Sequence, residues 1–126
     1  MKKIMVLESG NLISEMIKES LLSSECEFIS TADSSTFSKK YRGLIPDLII
    51  ADLTTITNSN VELLIHLKSD PIVSLFPFLL ITAGNHSRTK DINNGLNYYM
   101  TKPFSKQEFL RRLKKILKES KRMSPW

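Results

Sequence analysis

The run Leu48-Ile49-Ile50-Ala51, closed by Asp52, constrains the fold more than any other stretch of this chain. Side chains alternate across a strand, so a strand with one wet face reads apolar-polar-apolar. A continuous apolar run therefore suits a strand covered on both faces, as in parallel sheets flanked by helices. Four other runs behave similarly: Ile4–Leu7, the stretch centred on Cys26–Ile29, Phe78–Ile81 and the short Tyr98–Thr101.

Amphipathic stretches lie between these runs. Leu12, Ile13, Met16, Ile17 and Leu21 fall at helical spacing, with Ser14, Glu15, Lys18 and Glu19 on the other side. A short polar helix is predicted from Ser34 to Tyr41, with Phe37 and Tyr41 as its apolar pair, before Gly43 and Pro46 break the chain. Val61, Leu64, Ile65 and Leu67 mark a third helix, stopped by Pro71. A fourth, polar helix is expected from about Ser87 to Asn94, with Gly95 as its stop. The last is the clearest. Ser105 and Glu108 form a capping box, and Phe109, Leu110, Leu113, Ile116 and Leu117 make one stripe opposite Lys and Arg.

Strands alternating with helices imply parallel strands joined by right-handed crossovers. The expected fold is α/β, a doubly wound five-stranded parallel sheet with helices on both faces. One domain suits 126 residues. Its bounds are read as 1–120, with 121–126 as a tail and fraying from about residue 119. Trp126 is expected to be solvent-exposed. A 41% hydrophobic and 25% charged composition is ordinary for a globular protein. No stretch approaches the ~20 apolar residues of a membrane span, and the apolar start stops at Glu8, too early for a signal peptide. A cytoplasmic location is expected. Cys26 is the sole cysteine, which rules out an internal disulfide, and it reads as a small buried hydrophobe.

Charge is unevenly spread. Residues 102–122 hold nine Lys/Arg and two acids, a local net of +7; the remaining nine Lys/Arg and eleven acids give −2. A solvated helix face explains this simply, and contact with an acidic partner is the sharper alternative. The chain carries no nucleic-acid motif, so no direct nucleic-acid or membrane contact is expected, although a basic last helix leaves an adaptor on such a surface as a remote third case. His66 and His86 have no partner at metal or triad spacing.

Sites in open α/β sheets form at the carboxyl ends of the strands. Those ends deliver Glu8 and Ser9, Asp52, Thr82, and Lys102-Pro103. Over about residues 2–118 this arrangement resembles the response-regulator receiver domain, whose topology is flavodoxin-like. The segments that carry the resemblance are LIPDLIIADL, LLITA and GLNYYMTKPFSKQEFLRRL. The resemblance implies a two-component signalling domain rather than an enzyme. Asp52 would take a phosphoryl group from a histidine kinase or phosphotransfer protein, since a labile acyl phosphate needs a carboxylate nucleophile. Lys102 would pair with the phosphoryl group. Thr82 would hydrogen-bond it and Tyr99 would follow as the switch aromatic. Ala83 would keep the site open. The Lys102–Pro103 bond would be cis. Magnesium would be held by Asp52, the backbone carbonyl of Thr54 and Glu8, which is one methylene longer than the usual acid and either reaches the ion or blocks its site. Output to a downstream protein, or a homodimer, would use the face of the fourth helix, fifth strand and fifth helix.

Two features depart from the family. Ser9 replaces the second of two adjacent acids, so weak magnesium binding is expected. The loop Leu53–Asn60 lacks the usual proline and glycine. A pseudo-receiver that binds partners without phosphorylation is therefore the alternative.

Overall fold

A computed structural model of the chain describes residues 2–20, 26–33, 36–37, 39–40, 46–69, 76–83 and 97–122. Five parallel strands are present: β1 (Lys2–Leu7), β2 (Cys26–Thr31), β3 (Leu48–Asp52), β4 (Phe78–Thr82) and β5 (Asn97–Thr101). Among the described residues three helices have both ends placed: α1 (Leu12–Lys18), α2 (Asn58–Lys68) and α3 (Lys106–Arg122). The strand order is β2-β1-β3-β4-β5, all neighbours parallel. Strand order reverses between β1 and β3, which makes their carboxyl ends the topological switch point.

Strand parity explains the continuous apolar runs. Ile4, Val6, Leu48, Ile50, Leu79 and Ile81 point to one face, into a core completed by α1 and α3. Met5, Leu7, Ile49, Ala51, Phe78 and Leu80 point to the other, into a core with α2 and Phe37. Fully burying one large apolar side chain is worth about 1.5–3 kcal/mol, so both faces must be covered for the sheet to persist.

Helix phase departs from the sequence expectation in α1. Leu12 is exposed, at 51%, whereas Ser14 is buried. Leu12 opens the helix, where the chain is still turning out of the β1 loop. The Ser14 hydroxyl donates to the Asn11 carbonyl at 3.1 Å, which satisfies it under cover. In α2 the buried face runs through Asn60, Val61, Leu64 and Lys68, a lysine only 1% exposed. Lys68 lies four residues after Leu64 and so shares its face, with its Nζ 4.5 Å from the centre of the Phe78 ring.

The chain from Pro103 into α3 is held by stacking of Phe104 on Phe109, ring centres 5.9 Å apart. The Ser105 hydroxyl accepts from the Glu108 amide at 3.0 Å, one half of the expected box. Helical backbone continues to Arg122, into the segment read as a tail. The Tyr98 hydroxyl donates to Glu119 Oε2 at 2.8 Å, which ties this turn to β5. Burial and that carboxylate push the Tyr98 phenol up.

Residues 36, 37, 39 and 40 are helical, in agreement with the second predicted helix. Leu21, Tyr41, Gly43, Pro71, His86, the fourth helix with Gly95, and Trp126 lie outside the described residues. Cys26 is buried, and His66 is exposed on α2. No helix among the described residues is long and apolar enough to cross a membrane.

Candidate functional site

Four strand ends meet at one edge of the sheet. Register places Leu7 beside Ala51, Asp52 beside Ile81, and Thr82 beside Thr101. The residues just past those ends are Glu8, Leu53, Ala83 and Lys102.

Asp52 is 1% exposed, and both of its carboxylate oxygens are engaged. Oδ2 accepts from Lys102 Nζ at 2.9 Å. Oδ1 accepts from the Thr54 amide at 3.0 Å and from the Thr54 hydroxyl at 2.5 Å. Lys102 Nζ also donates to Thr54 Oγ1 at 2.8 Å, so the three residues close a ring. The Thr54 hydroxyl gives its proton to Asp52 and accepts one from Lys102, which uses both capacities of a hydroxyl. Sequence reading assigned Thr54 a carbonyl role alone. An Asp followed two residues later by a hydroxyl amino acid is the local signal for the Thr54–Asp52 half of this ring; the Lys102 half has none.

The same contacts show how the loop after Asp52 holds its path without proline or glycine. The Oδ1 bond to the amide two residues on is an Asx-turn. The Thr55 amide donates to the Asp52 carbonyl at 3.2 Å. Thr55 Oγ1 in turn accepts from the Ser9 amide at 3.0 Å, which links the β3 loop to the β1 loop. Thr57 then caps α2 by accepting from the Asn60 amide at 3.3 Å.

Glu8 is also 1% exposed, and its contacts lead elsewhere. Its two carboxylate oxygens accept from the Ile13 and Ser14 amides at 3.0 and 3.1 Å, and Ser30 Oγ lies 3.5 Å from Oε2. Gly10, at φ 106°, turns the chain so that these amides face back onto Glu8; that conformation favours glycine because it has no Cβ. A negative side chain over the opening amides of a helix stabilises it. Glu8→Ala is expected to orphan two buried donors and cost about 2 kcal/mol, whereas Glu8→Gln keeps an acceptor and loses less. Urea unfolding of both variants checks the difference.

The other expected residues are close at hand. Thr82 is buried, with its hydroxyl 3.4 Å from that of Thr101, and its carbonyl accepts from the Lys102 amide at 2.8 Å. That backbone bond sets where Lys102 starts. Tyr99 is half-buried against the second core, and its carbonyl accepts from Arg112 at 3.3 Å. Ala83 and Ser9 are exposed. The Lys102–Pro103 bond is cis, as the resemblance implies.

A hard divalent cation takes oxygen ligands and keeps several waters. Asp52 and the Thr54 carbonyl fit such an ion as ligands, with water completing the shell. Ser9 brings no charge, and Glu8 is engaged with α1. Among the described residues no three acidic, imidazole or thiol groups converge on one point.

No family model matches the chain. The alkaline phosphatase synthesis transcriptional regulatory protein PhoP of Bacillus subtilis (strain 168) is 31% identical over 126 residues, 98% of this chain. The chain spans about half of that relative's length, 52%. Among solved structures, a putative response regulator from Chloroflexus aurantiacus J-10-fl superposes with a TM-score of 0.73 at 25% identity, covering 93% of this chain and 98% of that one. The receiver domain of sensor histidine kinase PA1611 from Pseudomonas aeruginosa PAO1, which has a magnesium ion in its active-site cleft, gives 0.71 at 19% identity, covering 93% and 98%. Strand order, the meeting of Asp52 with Lys102 and these likenesses agree on a response-regulator receiver domain.

Proposed function

We propose that Asp52 accepts a phosphoryl group from a phosphohistidine on a histidine kinase or phosphotransfer protein. The observation that carries this is the 2.9 Å contact between Lys102 Nζ and the buried Asp52 carboxylate at the sheet's switch point. A carboxylate oxygen of Asp52 attacks phosphorus, the nitrogen–phosphorus bond breaks, and the imidazole leaves with the electron pair. Lys102 balances the charge on the new acyl phosphate as a point cation. Thr82 then turns its hydroxyl from Thr101 toward a phosphoryl oxygen, and Tyr99 follows. Magnesium, which receiver domains typically bind, would be held by Asp52 and the Thr54 carbonyl and would screen the approach of one anion to another. With Ser9 neutral, that ion is weakly bound. Signalling then passes to a downstream protein, or to a second copy, through the face of the fourth predicted helix, β5 and α3, within the cytoplasm.

One observation favours the alternative, a phosphorylation-independent pseudo-receiver. Glu8 is engaged with α1 and both oxygens of Asp52 are engaged with Lys102 and Thr54. Intact-mass measurement after incubation with acetyl phosphate and magnesium separates the two. A single phosphoryl adduct, absent in Asp52→Asn, is expected. No adduct at any magnesium concentration would leave the pseudo-receiver standing. An adduct regained in Ser9→Asp would then trace the loss to the missing acid.

A further inference from the structure

The surface of α3 away from the sheet carries Arg111, Lys114, Lys115 and Lys118, all exposed. Their spacing is i, i+3, i+4 and i+7, so they form one ridge. It lies opposite the buried stripe of Phe109, Leu113, Ile116 and Leu117. Ion pairs among the described residues join Lys18 with Glu15, Lys102 with Asp52 and Lys106 with Glu19; none involves these four. The two acids of α3 stay off the ridge. Glu119 takes the Tyr98 hydroxyl and Glu108 lies in the first turn. Arg112 turns aside to the Tyr99 carbonyl.

We propose that this ridge is a contact surface for the phosphate backbone of a nucleic-acid duplex. The chemistry of the face selects that partner. A protein partner is normally anchored by aromatic or aliphatic residues at the centre of the interface. A membrane-surface helix needs an apolar face to insert. A single strand is held by stacking on aromatic rings. No large hydrophobic residue of α3 is exposed; among the described residues Leu12 alone is, on another helix. Phosphate contacts need cations and no apolar anchor. From residue 111 to 118 the helix rises about 10 Å. Four long, flexible cationic side chains along that rise can each reach a phosphate across the two strands that border a groove. Sequence alone left such a contact as a remote third case, because the sequence cannot tell paired cations from unpaired ones.

Fluorescence anisotropy with short labelled DNA duplexes tests the proposal on the full chain. Four contacts predict a log–log salt slope of about −3 to −4, hence roughly 100-fold weaker binding between about 50 and 200 mM salt. Two duplexes of unrelated sequence should bind alike. The pair Lys114→Gln with Lys118→Gln should reduce the slope by about 2. The charge-matched pair Lys39→Gln with Lys40→Gln, exposed cations elsewhere in the fold, should leave it unchanged. Equal effects of the two pairs would reduce the ridge to net charge and overturn the assignment. So would absence of salt-dependent binding, equal binding of polyglutamate, or binding to phosphatidylglycerol vesicles without binding to duplex. None of these results depends on whether Asp52 is phosphorylated.

Discussion

Lys102→Met is expected to destabilise the domain by about 2–3 kcal/mol, and most of that loss should vanish when Asp52→Asn is added. The reason is asymmetry of exposure. Asp52 is 1% exposed and Lys102 28%, so the lysine can reach water but the carboxylate cannot. Removing the ammonium leaves a buried anion held by the amide and hydroxyl of Thr54. Converting Asp52 to the isosteric amide removes the charge that needed a partner. The two substitutions should therefore be non-additive by about 1–2 kcal/mol in a double-mutant cycle, the behaviour of residues in direct contact. Urea unfolding at neutral pH of the four proteins measures it. Strict additivity would mean that the pair is not the contact that organises this edge of the sheet. The cycle reads the resting site, so it informs both the phosphoacceptor and the pseudo-receiver.

The strands, and with them the positions of Asp52, Thr82 and Lys102, were legible because each terminates or follows an apolar run. A polar residue at such a point is delivered to the sheet's carboxyl edge by strand geometry alone. What the sequence hid is set by phase and by through-space closure. Glu8 reads as an acid beside the site, yet its carboxylate faces α1 because Gly10 folds the helix start back over it. Thr54 reads as one hydroxyl in a polar loop, and its position between Asp52 and Lys102 depends on a lysine 48 residues later. Leu12 and Ser14 exchange expected places because helix phase is fixed by packing against the sheet, not by composition. The same holds for Lys68, which sits where the apolar stripe of α2 continues.

That lysine yields the second large effect. Stability is expected to rise between about pH 8 and 10.5 through Lys68, measured against a Lys68→Met reference that does not titrate there. Burial lowers the Lys68 pKa from its ordinary 10.5 to about 8. The Phe78 ring beneath Nζ recovers part of the lost hydration as a cation–π contact. In the unfolded chain the amine keeps its ordinary pKa. Below about pH 8 both states carry the proton, and the full cost of burying the charge weighs against folding. Between about 8 and 10.5 the native state has lost its proton while the unfolded state still holds one. Stability contributed by Lys68 therefore rises with pH across that window and levels off above it. Other groups titrate there too, so the quantity to follow is the wild-type minus Lys68→Met difference in unfolding free energy from pH 7 to 10.5. Wild type should gain on the variant steadily as pH rises. A difference that stays constant across the window would show that Lys68 keeps its proton equally in both states, and that the ring and its surroundings hold the ammonium as well as water does.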